Sequence, residues 1–393
     1  MLLRNVCIVG EEDRLPKELW VERNTIQAVL PTGALKQDIE KKKAIVFNNA
    51  IAFPALANSH EHLDFNLFPP IGNKVYANYR EWGNDIHLQN KPAINEVLQI
   101  PQHLRTQWGI YKNLLNGFTR VVNHGDTLPI ADPLIHVEQQ HPSLHSVGFE
   151  KNWKWKLNRP GKKNLAYVIH TGEGTDAVAT NEIEELIRWN FFRKSLVGVH
   201  GVAMTSDQAR SFKALVWCPA SNYFLLDHTA DIKQLKHNTR ILFGTDSTLT
   251  AGWNIWEQLR LARVSGMLSD KELFHSVTHT AASVWGWDHY GSLKEGSIAD
   301  IVIARKNGIQ NSMDAFYAVN PEDLLLVVHQ GKIRLYDSSL DEQLTDAGMQ
   351  SPMFSRIQIK GSVKSVAGDL PALMQQIQKH HAAALLSPIQ LVP

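Results

Sequence analysis

Six polar residues stand at or just past the ends of apolar runs, and their side chains are those that hold and assist a divalent ion. They are His60 and His62 in Ala-Asn-Ser-His-Glu-His, His170 and Glu173 in Val-Ile-His-Thr-Gly-Glu-Gly, His200 in Val-Gly-Val-His-Gly, and Asp246 in Leu-Phe-Gly-Thr-Asp-Ser. Imidazole nitrogen and carboxylate oxygen are ordinary zinc ligands. In an extended strand, His60 and His62 project to one face, as two ligands of one ion must. No member of the set is decisive alone. With 18 histidines in 393 residues, about one His-x-His pair arises by chance. His170 or His200 taken singly reads equally as a hydrogen-bonded core histidine, and Asp246 as a helix cap. Their shared place after strand-like runs is what points to a metal-dependent enzyme.

The elements that would position them follow from the same runs. Ala50-Ile51-Ala52-Phe53 and Ile241-Leu242-Phe243 read as short buried strands. A barrel of parallel strands gathers its active site at the C-terminal strand ends, so residues far apart in the chain can converge on one ion. The predicted fold class is therefore α/β: a TIM-like (β/α)8 barrel with a small β-sandwich domain formed from both chain ends. Barrel strands are expected near 50–59, 118–123, 144–149, 165–169, 196–199, 214–218 and 240–245, with an eighth between 124 and 164. Helical patterns interleave at about 94–115, 177–193, 254–264 and 270–285. Residues 65–93, with Pro, Gly, Asn and large aromatics but little periodicity, read as a long loop over the barrel mouth.

Both ends alternate in strand fashion. Asn5–Val9, Leu19–Val21, Thr25–Val29 and Lys43–Val46 do so at the start, and Asp300–Ala304, Leu324–Val328 and Gly331–Ile333 near the end. Each end alone is short for a stable core, so the two are expected to pair beside the barrel. The division is 1–50 with 291–393 as the β-sandwich domain, and 51–290 as the barrel of a metal-dependent hydrolase. A C-terminal tail from 345 carries a helix near 370–385, with Leu373, Met374 and Ile377 on one face. A barrel of this kind takes about 250 residues, which leaves material for that second unit.

Composition excludes several partners. Lys plus Arg total 40 against 39 Asp plus Glu, leaving no electrostatic footprint for nucleic acid or an anionic membrane. No apolar run approaches the length of a membrane span. Only Cys7 and Cys218 are present, too few for a disulfide framework and in keeping with a reducing compartment. The opening Met-Leu-Leu-Arg-Asn-Val-Cys-Ile reads as a first strand rather than a signal peptide, and the expected location is the cytoplasm. The expected partner is a small-molecule substrate; a homodimer stays open.

With these motifs in hand, residues from about 45 to 335 resemble the amidohydrolase superfamily, particularly its deaminase and aminohydrolase branch. The family's His-x-His matches His60 and His62, its later strand-end histidines match His170 and His200, and its final strand aspartate matches Asp246. Cys218-Pro219-Ala220-Ser221-Asn222 is similar to the Cys-Pro-x-Ser-Asn of purine-type deaminases. The run from Gly291-Ser292-Leu293 through Gly296-Ser297-Ile298-Ala299-Asp300 is similar to the family's closing signature. Two departures stand out. Many relatives place a histidine just before Cys-Pro, where this chain has Trp217, and adenosine deaminases carry a second aspartate where it has Ser247.

The resemblance implies roles. His60, His62, His170 and Asp246 would hold one divalent ion, zinc or alternatively iron, which lowers the pKa of water. Glu173 matches the family's proton-shuttling glutamate, although a first-turn acid favoured by a helix dipole reads the same way. His200 would polarise the substrate, and Asp246 would also orient the nucleophile. In binuclear relatives the histidine matching His200 is itself a ligand and a carboxylated lysine bridges two ions. Lys151 is the candidate for that lysine here, against its reading as part of a solvated basic face. His124, Asn222 and Trp82 are candidate substrate-binding residues. The implied reaction is hydrolytic deamination of a purine-, pyrimidine- or triazine-like ring. Hydrolysis of an amide, cyclic amide or chlorinated ring by the same site remains open, as does an inactive barrel serving as a scaffold.

Overall fold

The computed structural model describes residues 1–11, 15–34, 44–160, 165–349 and 353–392. Eight strands run parallel: β1 (Leu56–Glu61), β2 (Phe118–Asn123), β3 (His136–Glu138), β4 (Ser143–Ser146), β5 (Tyr167–Thr171), β6 (Leu196–His200), β7 (Ala214–Trp217) and β8 (Arg240–Phe243). They form a five-stranded sheet of order β8-β7-β6-β5-β4 and a three-stranded sheet of order β1-β2-β3. A parallel bridge between Glu61 and Asp246 links the ends of β1 and β8 and joins the two sheets in one succession.

Strand alternation decides where the side chains go. Ala57, Val122, Val168, Val197, Val216 and Leu242 share a second core with Trp285, Trp287 and Tyr290. Their neighbours Leu56, Val121, Ile169, Leu196, Leu215 and Ile241 pack outward in the main core. Strands buried on both faces read as near-continuous apolar runs, which is why these runs were legible. The strand expected between 124 and 164 is β3, only three residues long.

Both chain ends lie in one ten-stranded mixed sheet. Leu2–Ile8, Lys17–Glu22, Thr25–Pro31 and Ala44–Pro54 join Ile301–Arg305, Leu324–His329 and Lys332–Asp337 there. Ala44–Pro54 pairs with Leu2–Ile8 on one side and Ile301–Arg305 on the other, so the early and late segments are neighbours in the sheet. The expected start of that strand at Lys43 lies outside the described residues.

Five expectations need correction, one of them the helix over 270–285, which is divided into Asp270–Ser276 and His279–Trp285. The run expected as one barrel strand over 50–59 is divided: its first half ends Ala44–Pro54 in the ten-stranded sheet, and only Leu56–Glu61 joins the parallel set. The loop over 65–93 contains helix α1 (Tyr79–Gln89) and the start of α2 (Lys91–Leu98). Asn78 caps α1 by accepting from the backbone of Arg80 and Glu81, and Tyr79, Gly83 and Ile86 form its buried face at helical spacing. The helix expected over 94–115 is broken before Pro101, so α3 runs Gln102–Leu115. The tail is not only helical. Leu370–His380 is the expected helix, burying Leu373, Met374 and Ile377, yet Phe354–Ile359, Ser362–Ala367 and Ile389–Leu391 extend the sheet.

No helix among the described residues is long and apolar enough to cross a membrane.

Candidate active site

At the C-terminal ends of β1, β5 and β8, three imidazoles and a carboxylate face one another. His170 Nε2 lies 3.2 Å from His60 Nε2 and 3.4 Å from His62 Nε2. Asp246 Oδ1 lies 3.6 Å from His60 Nε2 and 3.5 Å from His62 Nε2. Ligands about 2.0–2.1 Å from a tetrahedral ion stand about 3.3 Å apart, so these spacings fit one divalent cation. Main-chain bonds set the arrangement. Thr245 and Asp246 N–H both donate to His60 O at 3.1 Å, and His62 N–H donates to Asp246 O at 2.9 Å. Gly244 permits that approach, because a Cβ there would meet His60 Cβ at 2.8 Å.

Protonation states also fit a cation. Burial brings the His60 imidazole down to about 4, and holds His170 well below the ordinary histidine range. Both therefore offer a free lone pair near neutral pH. Burial opposes ionisation of Asp246, but the histidines beside it win and hold it well below the usual carboxylate range. His145 O takes the Nδ1–H of His170 at 2.7 Å, leaving His170 Nε2 free for an ion. Asp246 Oδ2 accepts from Ser221 Oγ at 2.7 Å and Thr250 Oγ1 at 2.9 Å, which aims Oδ1 at the histidines.

Glu173 and His200 flank the group. Past β5 the chain turns through Gly172, at φ +60°, so that Glu173 faces the same space as His170. Its Oε1 lies 3.6 Å from His200 Nε2. Burial pushes its carboxyl up to about 7, with the neighbouring His200 opposing that rise. Both His200 and Asp246 adopt left-handed backbone, φ +71° and +61°, a strained state for residues with a Cβ. Such strain persists only where surrounding structure enforces it.

A cavity of about 440 Å³ opens over this floor, and His62, His170, Glu173, His200 and Asp246 all line it. Trp82 lines it too, its Nε1–H held on Ile71 O at 2.7 Å. The other two expected substrate contacts lie elsewhere. Asn222 is fully buried and its Oδ1 accepts from His200 Nδ1 at 2.8 Å, so it orients that imidazole from behind. His124 packs against the rings of His60 and His170, with Nε2 3.1 Å from Leu144 O, and does not line the cavity. Lys151 is exposed and outside the ligand group, as a solvated basic face requires.

Sequence reading missed what lies between His60 and His62. Glu61 points away from the cavity and accepts from Asn58 at 2.9 Å, Asn66 at 3.0 Å and Thr245 at 2.7 Å. The fully buried Lys112 of α3 completes its shell at 3.3 Å. The available signal was an acid inside a strand with no solvent-facing side, since such a group needs partners.

Residues 152–334 match the sequence pattern of the Amidohydrolase family. The chain is 21% identical to a 5'-deoxyadenosine deaminase of Methanococcus aeolicus over 350 residues, covering 73% of this chain and 81% of that protein. Its fold is similar to that of a zinc-bound adenosine deaminase from Xanthomonas campestris, with a TM-score of 0.67 and 16% identity over 88% of this chain and 96% of that one. It is equally similar to zinc-complexed atrazine chlorohydrolase from Arthrobacter aurescens TC1, with a TM-score of 0.67 and 15% identity over 88% and 99% of the two chains.

Proposed function

We propose that this chain, a member of the amidohydrolase superfamily, is a metal-dependent hydrolase of C–N bonds that removes the amino group of a heterocycle with water. The observation that carries this reading is the cluster of His60, His62 and His170, with Asp246 beside it, facing one cavity with the buried Glu173. His60, His62, His170 and Asp246 would hold one divalent ion, with zinc favoured by the three-nitrogen, one-oxygen donors. When bound, such an ion acidifies water and makes a nucleophile available near neutral pH.

The remaining work falls to the protein. Glu173, with its carboxyl near 7, can take a proton from the attacking water and pass it to the leaving nitrogen. An oxygen–carbon bond forms at the amine-bearing ring carbon, the carbon–nitrogen bond breaks, and ammonia carries the proton away. His200, whose Nδ1 donates to Asn222, presents Nε2 beside Glu173 and toward the cavity. There it can polarise the ring as charge develops. Asp246, fixed by Ser221 and Thr250, helps aim the nucleophile.

The succession of eight parallel strands supports a TIM-like barrel over 51–290, and the shared sheet of both ends supports a companion β-domain over 1–50 and 291–393. The near-zero net charge and two free cysteines support a cytoplasmic enzyme of small molecules without a nucleic-acid partner. Ammonia release from a panel of amino-heterocycles, by protein reconstituted with zinc, tests the reading. Glu173→Gln should lose about 10²–10⁴ in turnover while keeping its metal. His60→Ala should lose the metal itself. Near-normal turnover by metal-loaded Glu173→Gln would remove the shuttle and the case for deamination.

A further inference from the structure

We propose that the ring accepted by this site is uncharged, bears apolar substituents and carries neither sugar nor phosphate; this rests on the deamination reading. Above the floor of histidines and acids, the walls are Phe65, Phe68, Trp82, Ile86, Ile94 and Leu249. Among the described residues lining the cavity there is no lysine or arginine. A phosphate or carboxylate among these walls would surrender its hydration with no cationic side chain there in return, and a poorly compensated buried charge is among the costliest groups to desolvate.

A ribose fares little better. Its hydroxyls need side chains with hydrogen bonds to spare, and several within the walls are engaged, leaving the Ser247 hydroxyl proton and His145 Nε2 to meet them. Tyr79 Oη donates to Glu182 at 3.1 Å and accepts from the backbone N–H of Gly148 at 2.9 Å. Thr250 Oγ1 donates to Asp246 at 2.9 Å, and Trp82 Nε1–H is on Ile71 O. Ser247 Oγ accepts from Leu249 N–H at 3.3 Å. Asn84 and His87 have no side-chain bond of this kind, but both are exposed residues of α1 at the mouth. The volume of about 440 Å³ lies within the range of ordinary small-ligand sites, so exclusion is chemical rather than steric. Alkyl groups on a flat ring, by contrast, would gain contact with two phenylalanines, a tryptophan and three aliphatic side chains.

Ammonia release by the zinc-reconstituted full chain should be compared for amino-triazines and aminopyrimidines that carry one free amino group beside alkyl or alkylamino substituents, against adenosine and its 5'-phosphate. The alkylated rings should lead adenosine by about 10²-fold in kcat/KM, the discrimination such pockets reach, and the phosphate should give no measurable release. Adenosine within tenfold of the best alkylated ring, or turnover of the 5'-phosphate, would overturn this substrate class while leaving deamination standing. Ammonia from none of the compounds would sink the deamination reading and this proposal together. Leu98→Ser, at the half-exposed end of α2 in the cavity wall, separates packing from chemistry. It should raise KM for the alkylated ring several-fold with kcat within about twofold; an unchanged KM would count against the apolar wall.

Discussion

The Glu61 carboxylate lies 3.3 Å from the Lys112 ammonium, with both side chains fully buried. Burial pushes the Lys112 amine down, while Glu61 opposes that by favouring the charged form. The pair is not simply an attraction, because both charges have left water. It is tolerable here since every partner is supplied: Lys112 Nζ also donates to Asn66 Oδ1 at 2.7 Å, and Glu61 accepts from Asn58, Asn66 and Thr245. Thr245 precedes Asp246, and Glu61 separates His60 from His62, so the network braces three of the proposed ligands from behind the cavity.

Lys112→Met should therefore destabilise the fold by about 3–5 kcal/mol, the usual cost of leaving one member of a buried pair alone. The double variant Glu61→Gln with Lys112→Met should recover much of that loss, since neither charge remains. Urea denaturation of the two variants decides the matter. A single variant losing less than about 1 kcal/mol would mean the pair is dispensable.

Why was the cavity floor legible in sequence when its supports were not? Strands buried on both faces end abruptly at a polar residue, so His60, His170, His200 and Asp246 announced themselves. The Cys218–Asn222 motif was visible too, yet nothing in its spacing tells whether Asn222 meets a ligand or braces His200. That depends on how the helix Pro219–Leu226 packs, which is a tertiary matter. The same holds for His124, set against Leu144 rather than the cavity. Helix α1 eluded the pattern because Gly83 and a polar stretch dilute its periodicity. Contacts outside it help secure it, among them Tyr79 N–H on Glu173 O at 3.0 Å. In the tail a signal was present and overlooked: Ile357 and Ile359 alternate before Gly361, at φ +85°, which turns the chain into the next strand.

Metal content follows from the ligand geometry. Protein purified without chelator should carry about one equivalent of zinc or iron, since the His60, His62 and His170 nitrogens cluster within reach of one ion and Asp246 Oδ1 lies beside two of them. Chelator should lower the melting temperature, and zinc should restore it. Free zinc at a hundredfold excess over its dissociation constant adds about 2.7 kcal/mol. Elemental analysis near two equivalents would overturn the single-ion reading. No metal even after reconstitution would favour a barrel kept as a scaffold.

The proposed role of Glu173 carries a pH-dependent cost. Burial raises its carboxyl to about 7 from an ordinary 4.5, so the folded state holds the proton more tightly than the unfolded chain. Stability from that difference is fully present below about pH 4.5 and is lost as pH rises through about 7, where folding must bury a charge. Glutamine at this position is neutral throughout and escapes the loss. In chelator-treated protein, Glu173→Gln should thus be more stable than the parent at pH 8, by up to about 3 kcal/mol, with the gap closing near pH 5. Paired denaturation curves at the two pH values measure it. A gap of equal size at both, or one that opens toward acid, would show that Glu173 is not held protonated by burial. The property that would let this group carry a proton near neutral pH is then the one that weakens the fold there, as expected when a site is tuned for activity rather than stability.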